Sequence, residues 1–224
     1  MIIVFSGIDC AGKSTQIGII KNWVIQQGVS ASYLWLRGGY TPGFELIKKT
    51  FRLVVGKGLV PSGKSDKRDK MISNLLVGRL WLTIAILDML VTCVIYVRIK
   101  SLLGKIVICD RYIGDTFIDF SLNFPNSNFE KMWLWKLLMA ISPKPDAGFL
   151  FILPVEESMY RSKLKNEPFP DAEEVLRMRL EIYLTSKFFM GQGWSKIDGL
   201  ESINSIAIHI KDTVFSKIIN SNAT

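Results

Sequence analysis

A lysine and a hydroxyl side chain set behind a glycine-rich turn can grip an anion far better than an isolated lysine. Such a group stands at Gly7-Ile8-Asp9-Cys10-Ala11-Gly12-Lys13-Ser14-Thr15, directly after the apolar run Ile2-Ile3-Val4-Phe5. The spacing is G-x-x-x-x-G-K-[ST]. Glycines let the backbone curl so that successive N–H groups point inward at phosphate oxygens. Lys13 adds a mobile positive charge for the outer phosphates, and the Ser14 hydroxyl is a ligand for Mg²⁺. Gly7, Ala11, Gly12, Lys13, Ser14 and Thr15 are therefore the expected cradle of a nucleoside triphosphate.

The same letters recur at Gly58-Leu59-Val60-Pro61-Ser62-Gly63-Lys64-Ser65, and context separates the two. After Lys13, residues Ile17, Ile20, Trp23 and Val24 fall at helical spacing, and Gly28 ends the run. After Lys64 comes Asp66-Lys67-Arg68-Asp69-Lys70, with no apolar stripe to dock a helix. Pro61 also removes one N–H from the would-be cradle. Residues 58–70 read as a polar loop.

The elements that must hold the cradle alternate. Strands are expected at 2–6, 31–36, 105–110, 147–153 and 194–197. Between them come helices at 14–27, near 44–55, from about 70 to 101, and at 112–121, 128–141, 155–165, 171–189 and 201–219. Strands alternating with helices imply an α/β chain with a parallel sheet and helices on both faces, here as a single domain over 1–224. Such sheets bind ligands at the carboxyl ends of their strands. The residues there are Arg37, after the second strand, and Asp110-Arg111-Tyr112, after the third. Asp110 is placed to hold a metal ion through water. Asp9 is unusual, since a carboxylate among phosphate oxygens is unwelcome unless it faces the hydroxyls of a second ligand. That suggests an acceptor bound beside the nucleotide.

These residues resemble the thymidylate kinase family of P-loop nucleoside monophosphate kinases. The likeness rests on Phe5 to Gln16 and on Asp110-Arg111-Tyr112. Arg37, the approach Leu75-Leu76-Val77-Gly78-Arg79 and Pro145-Asp146 add to it, and it runs in order from about residue 1 to 198. It implies a three-layer P-loop NTPase fold with a five-stranded parallel sheet and a basic lid at about 155–170. The implied reaction moves the γ-phosphoryl group of Mg·ATP onto dTMP, giving dTDP. Asp9 would then accept from the acceptor's 3′-hydroxyl, and Arg37 and Arg111 would clamp its phosphate. Arg79 would reach the base edge or that phosphate, while Ser14 and Asp110 would hold Mg²⁺. From the lid, Arg161 is the expected transition-state cation, assisted by Lys163 and Lys165; Lys13, Arg111 and Arg161 form the catalytic set. Tyr112 and Asp115 belong to the implied acceptor site.

The chain departs from the family at that site. Leu75 stands where an aromatic ring usually stacks on thymine. Asp115 and Asp119 stand where the family tends to show a serine and an aromatic. Two carboxylates on one helix face could bond sugar hydroxyls or an amino-bearing base. A diverged kinase acting on a nucleoside, a sugar phosphate or a lipid-linked sugar is therefore the alternative, with a nucleotide-binding module without turnover behind it.

Composition narrows the rest. The 224 residues are 49% hydrophobic, enough for a full core, and 28 Lys and Arg against 20 Asp and Glu leave a charge of +8. That excess suits anionic ligands, yet no basic patch interleaved with aromatics marks a nucleic-acid binder. Cys10, Cys93 and Cys109 stand far apart and His209 is the lone histidine, which argues against a zinc site and against a disulfide framework. The chain enters a strand at once, so no signal peptide is expected, and a cytoplasmic home follows. Residues 80–97 are almost continuously apolar, but Asp88 lies in the middle and a sheet strand follows. A membrane span is not expected. A homodimer packed through helix 80–97 is.

Overall fold

A computed structural model describes residues 1–36, 75–167, 170–191 and 193–222. The expected helix near 44–55, the loop 58–70 and Arg37 lie outside the described residues. Contacts divide the chain into two compact units: Met1–Trp35, Ile99–Ile118 and Lys144–Thr224 form the first, and Leu36–Arg98 with Asp119–Pro143 form the second.

The first unit carries a five-stranded, all-parallel sheet. Its strands are β1 (Ile2–Gly7), β2 (Ala31–Trp35), β3 (Ile106–Asp110), β4 (Ala147–Ile152) and β5 (Trp194–Asp198), in the order β2-β3-β1-β4-β5. All six residues of β1 and all five of β3 are buried, which explains their unbroken Ile, Val and Phe runs. A strand covered on both faces has no polar side to alternate with. The edge strand β2 is only part-buried and does alternate. Asp146 fixes where β1 begins, its Oδ2 accepting from the Ile2 N–H at 2.6 Å.

Helix α1 (Lys13–Gln26) packs on β1 and β3, buries Ile17, Ile20 and Val24, and lies against the last helix of the chain. The step from β1 to β2 runs one way across the sheet, and those from β3 to β4 and on to β5 run the other way. Right-handed crossovers therefore put α1 and the connection from β4 to β5 on opposite faces. This is the three-layer P-loop NTPase fold the sequence implied.

The described residues of the second unit are mainly helical. Helix α2 (Leu75–Met89) runs without a break into a π-helical stretch, Leu90–Val97, and then into α3 (Arg98–Leu102). Helix α4 (Ile113–Asn123) begins in the first unit and ends in the second; α5 (Trp133–Ile141) follows a short 3₁₀ turn at Phe129–Lys131. The core around α4 and α5 is aromatic. Phe120 lies edge-on to Phe129 at 5.4 Å, and Phe129 edge-on to Trp135 at 5.0 Å, geometries the ring quadrupole favours. Arg98 donates to the Ile141 carbonyl at 2.6 Å and ties the long helix to the end of α5.

Along that helix Leu82, Ile86, Met89, Cys93 and Val97 are buried, whereas Leu80, Leu87, Val91 and Ile95 are about half exposed. Asp88 is buried, at 6% exposure. Val77–Leu102 is long and apolar enough to cross a membrane by length and composition; its most apolar 18-residue window has mean hydropathy 2.2, and 39% of that window is buried in the protein. The remaining helices, α6 (Val155–Leu164), α7 (Glu173–Thr185) and α8 (Ile203–Asn222), belong to the first unit.

Candidate active site

The anion cradle is built by backbone shape. At Gly7, φ is 132°, and a Cβ there would stand 2.2 Å from the Phe151 carbonyl oxygen, so only glycine lets the loop leave β1 beside β4. Cys10 at φ 60° and Gly12 at φ 95° take left-handed conformations, which turn neighbouring N–H groups to one side. Helix α1 opens with no side-chain cap and no acidic residue in its first turn. Its first N–H groups and the positive end of its dipole are left for an anion.

Lys13 folds back over this loop. Its Nζ donates to the carbonyls of Gly7 at 2.9 Å and Ile8 at 2.5 Å, and the residue is 6% exposed. Burial, followed by the nearby Arg111 charge, lowers its pKa from 10.5 to about 8. Ser14 and Thr15 are exposed.

The parallel register sets Phe5 opposite Asp110, which carries the end of β3 to the mouth of the loop. Arg111 N–H donates to the Phe5 carbonyl at 2.8 Å, and Arg111 adopts φ 72°, a conformation costly for a residue with a side chain. Its guanidinium pairs with Asp9 and donates to the Tyr183 hydroxyl at 3.2 Å. Asp110 is 8% exposed and accepts from Tyr33 Oη at 3.3 Å. Burial raises the Asp110 pKa while Lys13 and Arg111 pull it back, and burial with the Asp110 charge pushes Tyr33 up to about 12. Asp9, Lys13, Asp110 and Arg111 thus form one electrostatic cluster.

Ser14 Oγ and the Asp110 carboxylate are hard oxygen donors, the type Mg²⁺ takes. Among the described residues no group of three His, Cys, Asp or Glu converges on a metal. This donor set fits a cation held mostly by phosphate oxygens and water, with few protein ligands.

Asp115 is not where an acceptor contact would have it. It is wholly buried, and its oxygens accept from Ser6 Oγ at 2.5 Å, Tyr112 N–H at 2.9 Å and Tyr183 Oη at 2.5 Å. All three bonds hold the carboxylate in place at the first turn of α4. Tyr112 is buried as well, at 4% exposure. Asp119 is buried too, at 5%, in the second unit. Arg79 is exposed on α2, and Leu75 is the first residue of that helix; both belong to the second unit.

The basic segment after β4 is anchored to the loop. Ser158 Oγ on α6 donates to the Asp9 carbonyl at 2.8 Å. Arg161 pairs with Glu157 at 2.7 Å and donates to the Gly199 carbonyl at 3.1 Å. Gly199 abuts the cradle, since a Cβ there would meet the Ala11 carbonyl at 3.2 Å. Lys165 lies close enough to Cys10 to act on its thiol, although burial dominates and raises the Cys10 pKa. Asp9 and Lys163 line a cleft of about 450 Å³ closed by Ser162, Asn166, Asp171 and Glu173. Sequence reading missed Tyr33, Ser158 and Tyr183. Each is a hydroxyl whose partner is 77, 149 or 68 residues away, and no local pattern announces it.

No family model matches the chain. Curated proteins do. The chain is 26% identical over 221 residues to the thymidylate kinase of Prochlorococcus marinus strain AS9601, covering 97% of each. It is 25% identical over 201 residues to that of Herpetosiphon aurantiacus, covering 90% of this chain and 77% of the relative. A third match, 27% over 170 residues, is to the thymidylate kinase of Mycoplasmopsis pulmonis, and covers 75% of this chain and 64% of that protein. The chain is thymidylate kinase-like in sequence over most of its length. In that thymidylate kinase-like chain, the phosphate loop and the end of β3 meet in one site.

Proposed function

We propose that the chain transfers the γ-phosphoryl group of Mg·ATP to a nucleoside monophosphate, with dTMP giving dTDP as the favoured reaction. The observation that carries this is the Asp9–Arg111 pair. It joins the triphosphate cradle to the one buried arginine at the end of β3, so donor and acceptor groups share a site. The similarity to curated thymidylate kinases supports the same reading.

In this scheme loop N–H groups and Lys13 hold the donor's phosphates, and Arg111 holds the acceptor's phosphate by paired N–H bonds. Asp9, 46% exposed, accepts from an acceptor hydroxyl. Ser14 and Asp110 would hold Mg²⁺, which when bound would supply charge neutralisation at the phosphates. Arg161, released from Glu157, adds positive charge as the γ-group moves, with Lys163 and Lys165 beside it. Positioning and charge neutralisation are what this transfer requires.

The assembly we infer is a homodimer joined through the half-exposed face of Leu80, Leu87, Val91 and Ile95, in the reducing cytoplasm and without a membrane span. A second reading, a diverged kinase acting on a sugar-like acceptor, is favoured by the acidic lining of the cleft beside Asp9. One assay separates them: ADP release from Mg·ATP with a panel of nucleoside monophosphates, nucleosides and sugar phosphates, Lys13→Ala being the control. Turnover restricted to dTMP supports the first reading. Turnover restricted to non-nucleotides supports the second, and no turnover with any acceptor defeats both.

A further inference from the structure

Arg111 poses a mechanical problem. It is 95% buried by its 5% exposure, sits at φ 72°, and must present a flat guanidinium to a ligand from a backbone that resists the pose. A long side chain held only at its exposed end, by Asp9, would have many rotamers open to it. The structure holds it at the inner end as well. Arg111 Nη1 donates to Tyr183 Oη at 3.2 Å and lies 3.6 Å from Asp115 Oδ1. Tyr183 Oη in turn donates to that same Oδ1 at 2.5 Å. Asp115 Oδ2 is pinned by Ser6 on β1 and by the Tyr112 N–H, so the carboxylate cannot rotate away.

We propose that Asp115 and Tyr183 are positioning residues that fix the Arg111 guanidinium at the mouth of the phosphate loop. The inference rests on the phosphoryl-transfer reading for its kinetic consequence, but not for its structural one. Its parts come from β1, the start of α4 and α7, three elements that meet only in the folded chain. Every member is buried: Ser6 and Asp115 at 0%, Tyr183 at 1% and Arg111 at 5%. A buried network of this kind is rigid when all its members are satisfied. The Asp115 charge is the inner counterweight to Arg111, and the Tyr183 hydroxyl gives the contact its direction, because it bonds both partners at once.

Tyr183→Phe removes one hydroxyl and no packing volume. The expected result is a loss of about tenfold in kcat/KM for the phosphorylated acceptor, while the KM for ATP stays within about twofold. In an Arg111→Lys background the same change has little further effect, because the group it positions is gone. If the two losses simply multiply, Tyr183 acts on general stability and the proposal falls. A turnover-free measurement runs beside this. In the wild type, NMR of the arginine side chains shows separate Nη1 and Nη2 signals for Arg111, since its guanidinium cannot rotate freely. They merge in Tyr183→Phe and in Asp115→Asn. Signals that stay separate in both variants overturn the proposal. Absence of turnover in the wild type would instead defeat the phosphoryl-transfer reading, leaving the NMR result to judge the positioning role.

Discussion

Lys13 gives the sharpest quantitative test of the cradle. Its pKa is lowered to about 8, first because burial strips water from the ammonium and next because Arg111 repels it. A triphosphate arriving on the loop outweighs both influences, adding several negative charges beside Nζ. Binding must therefore draw a proton onto Lys13 wherever the free protein has lost it. With half the population deprotonated at pH 8, binding takes up about 0.5 proton there, about 0.1 at pH 7 and close to one at pH 9. Affinity falls by about tenfold per pH unit above that pKa. Calorimetry in two buffers of different ionisation enthalpy reads the uptake directly. At pH 8 and above the triphosphate itself has no titrating proton to confuse the count. The sign carries over to stability. Between pH 8 and 10 the unfolded lysine binds more protons than the native one, so the Lys13 contribution to stability rises with pH, while the raised Cys10 thiol works against it. Above pH 10 stability falls, because Tyr33 and Tyr183, both raised by burial, hold protons in the native state that the unfolded chain releases. Uptake below about 0.1 proton at pH 8.5, or uptake that persists in Lys13→Ala, would refute the argument.

Three other outcomes follow from the same geometry. Gly7→Ala forces a Cβ to 2.2 Å from the Phe151 carbonyl at a φ that side chains rarely adopt, so denaturant unfolding should show a loss of about 3 kcal/mol or more; an unchanged midpoint would contradict the turn as drawn. Arg161→Ala should lower kcat by about a hundredfold or more while ATP binding weakens only about twofold, as steady-state and single-turnover kinetics can show; equal losses in both would make Arg161 a simple ATP ligand. Val91→Asp, at a residue 58% exposed, should convert the proposed homodimer to monomer in sedimentation velocity; a wild-type protein that is already monomeric removes the interface.

How much the sequence disclosed depends on how local each feature is. The phosphate loop was legible because its chemistry lies within nine consecutive residues. The five strands were legible because burial on both faces leaves continuous apolar runs, and their bounds agree with expectation to within one residue. Strand order was not, since nothing in Ile106–Asp110 says that it lies between β1 and β2. The π-helical stretch at Leu90–Val97 was equally silent, because a run apolar at nearly every position carries no period from which to read a helix type. The segments 128–141 and 171–189 were read as single helices, yet each contains a 3₁₀ turn set off by a residue in extended conformation, Met132 and Ser186. The burial of Asp115 was not legible for a geometric reason. A carboxylate in the first turn of a helix faces the ligand or the sheet according to a rotation that only the packing of β1 and α7 decides.

The two carboxylates on Arg111 differ in a way that bears on how such a site works. Asp9 is 46% exposed and holds the outer nitrogen; Asp115 is wholly buried and holds the inner one. An incoming phosphate competes with a carboxylate for the same N–H groups, and it can displace only a partner that water or another ligand will then receive. Asp9 meets that condition, because it is part-exposed and lines a cleft. Asp115 does not, because breaking its pairing would strand a buried charge at a cost of several kcal/mol. Arg111 therefore has one exchangeable counter-ion and one permanent one. Exchange at Asp9 would release a carboxylate beside the loop at the moment phosphate occupies Arg111, ready to accept from a hydroxyl on the same ligand. A ligand carrying both groups satisfies both ends of the broken pair, whereas free phosphate satisfies one. That difference is a physical basis for preferring a phosphorylated, hydroxyl-bearing acceptor over inorganic phosphate, and it needs no contact to the base.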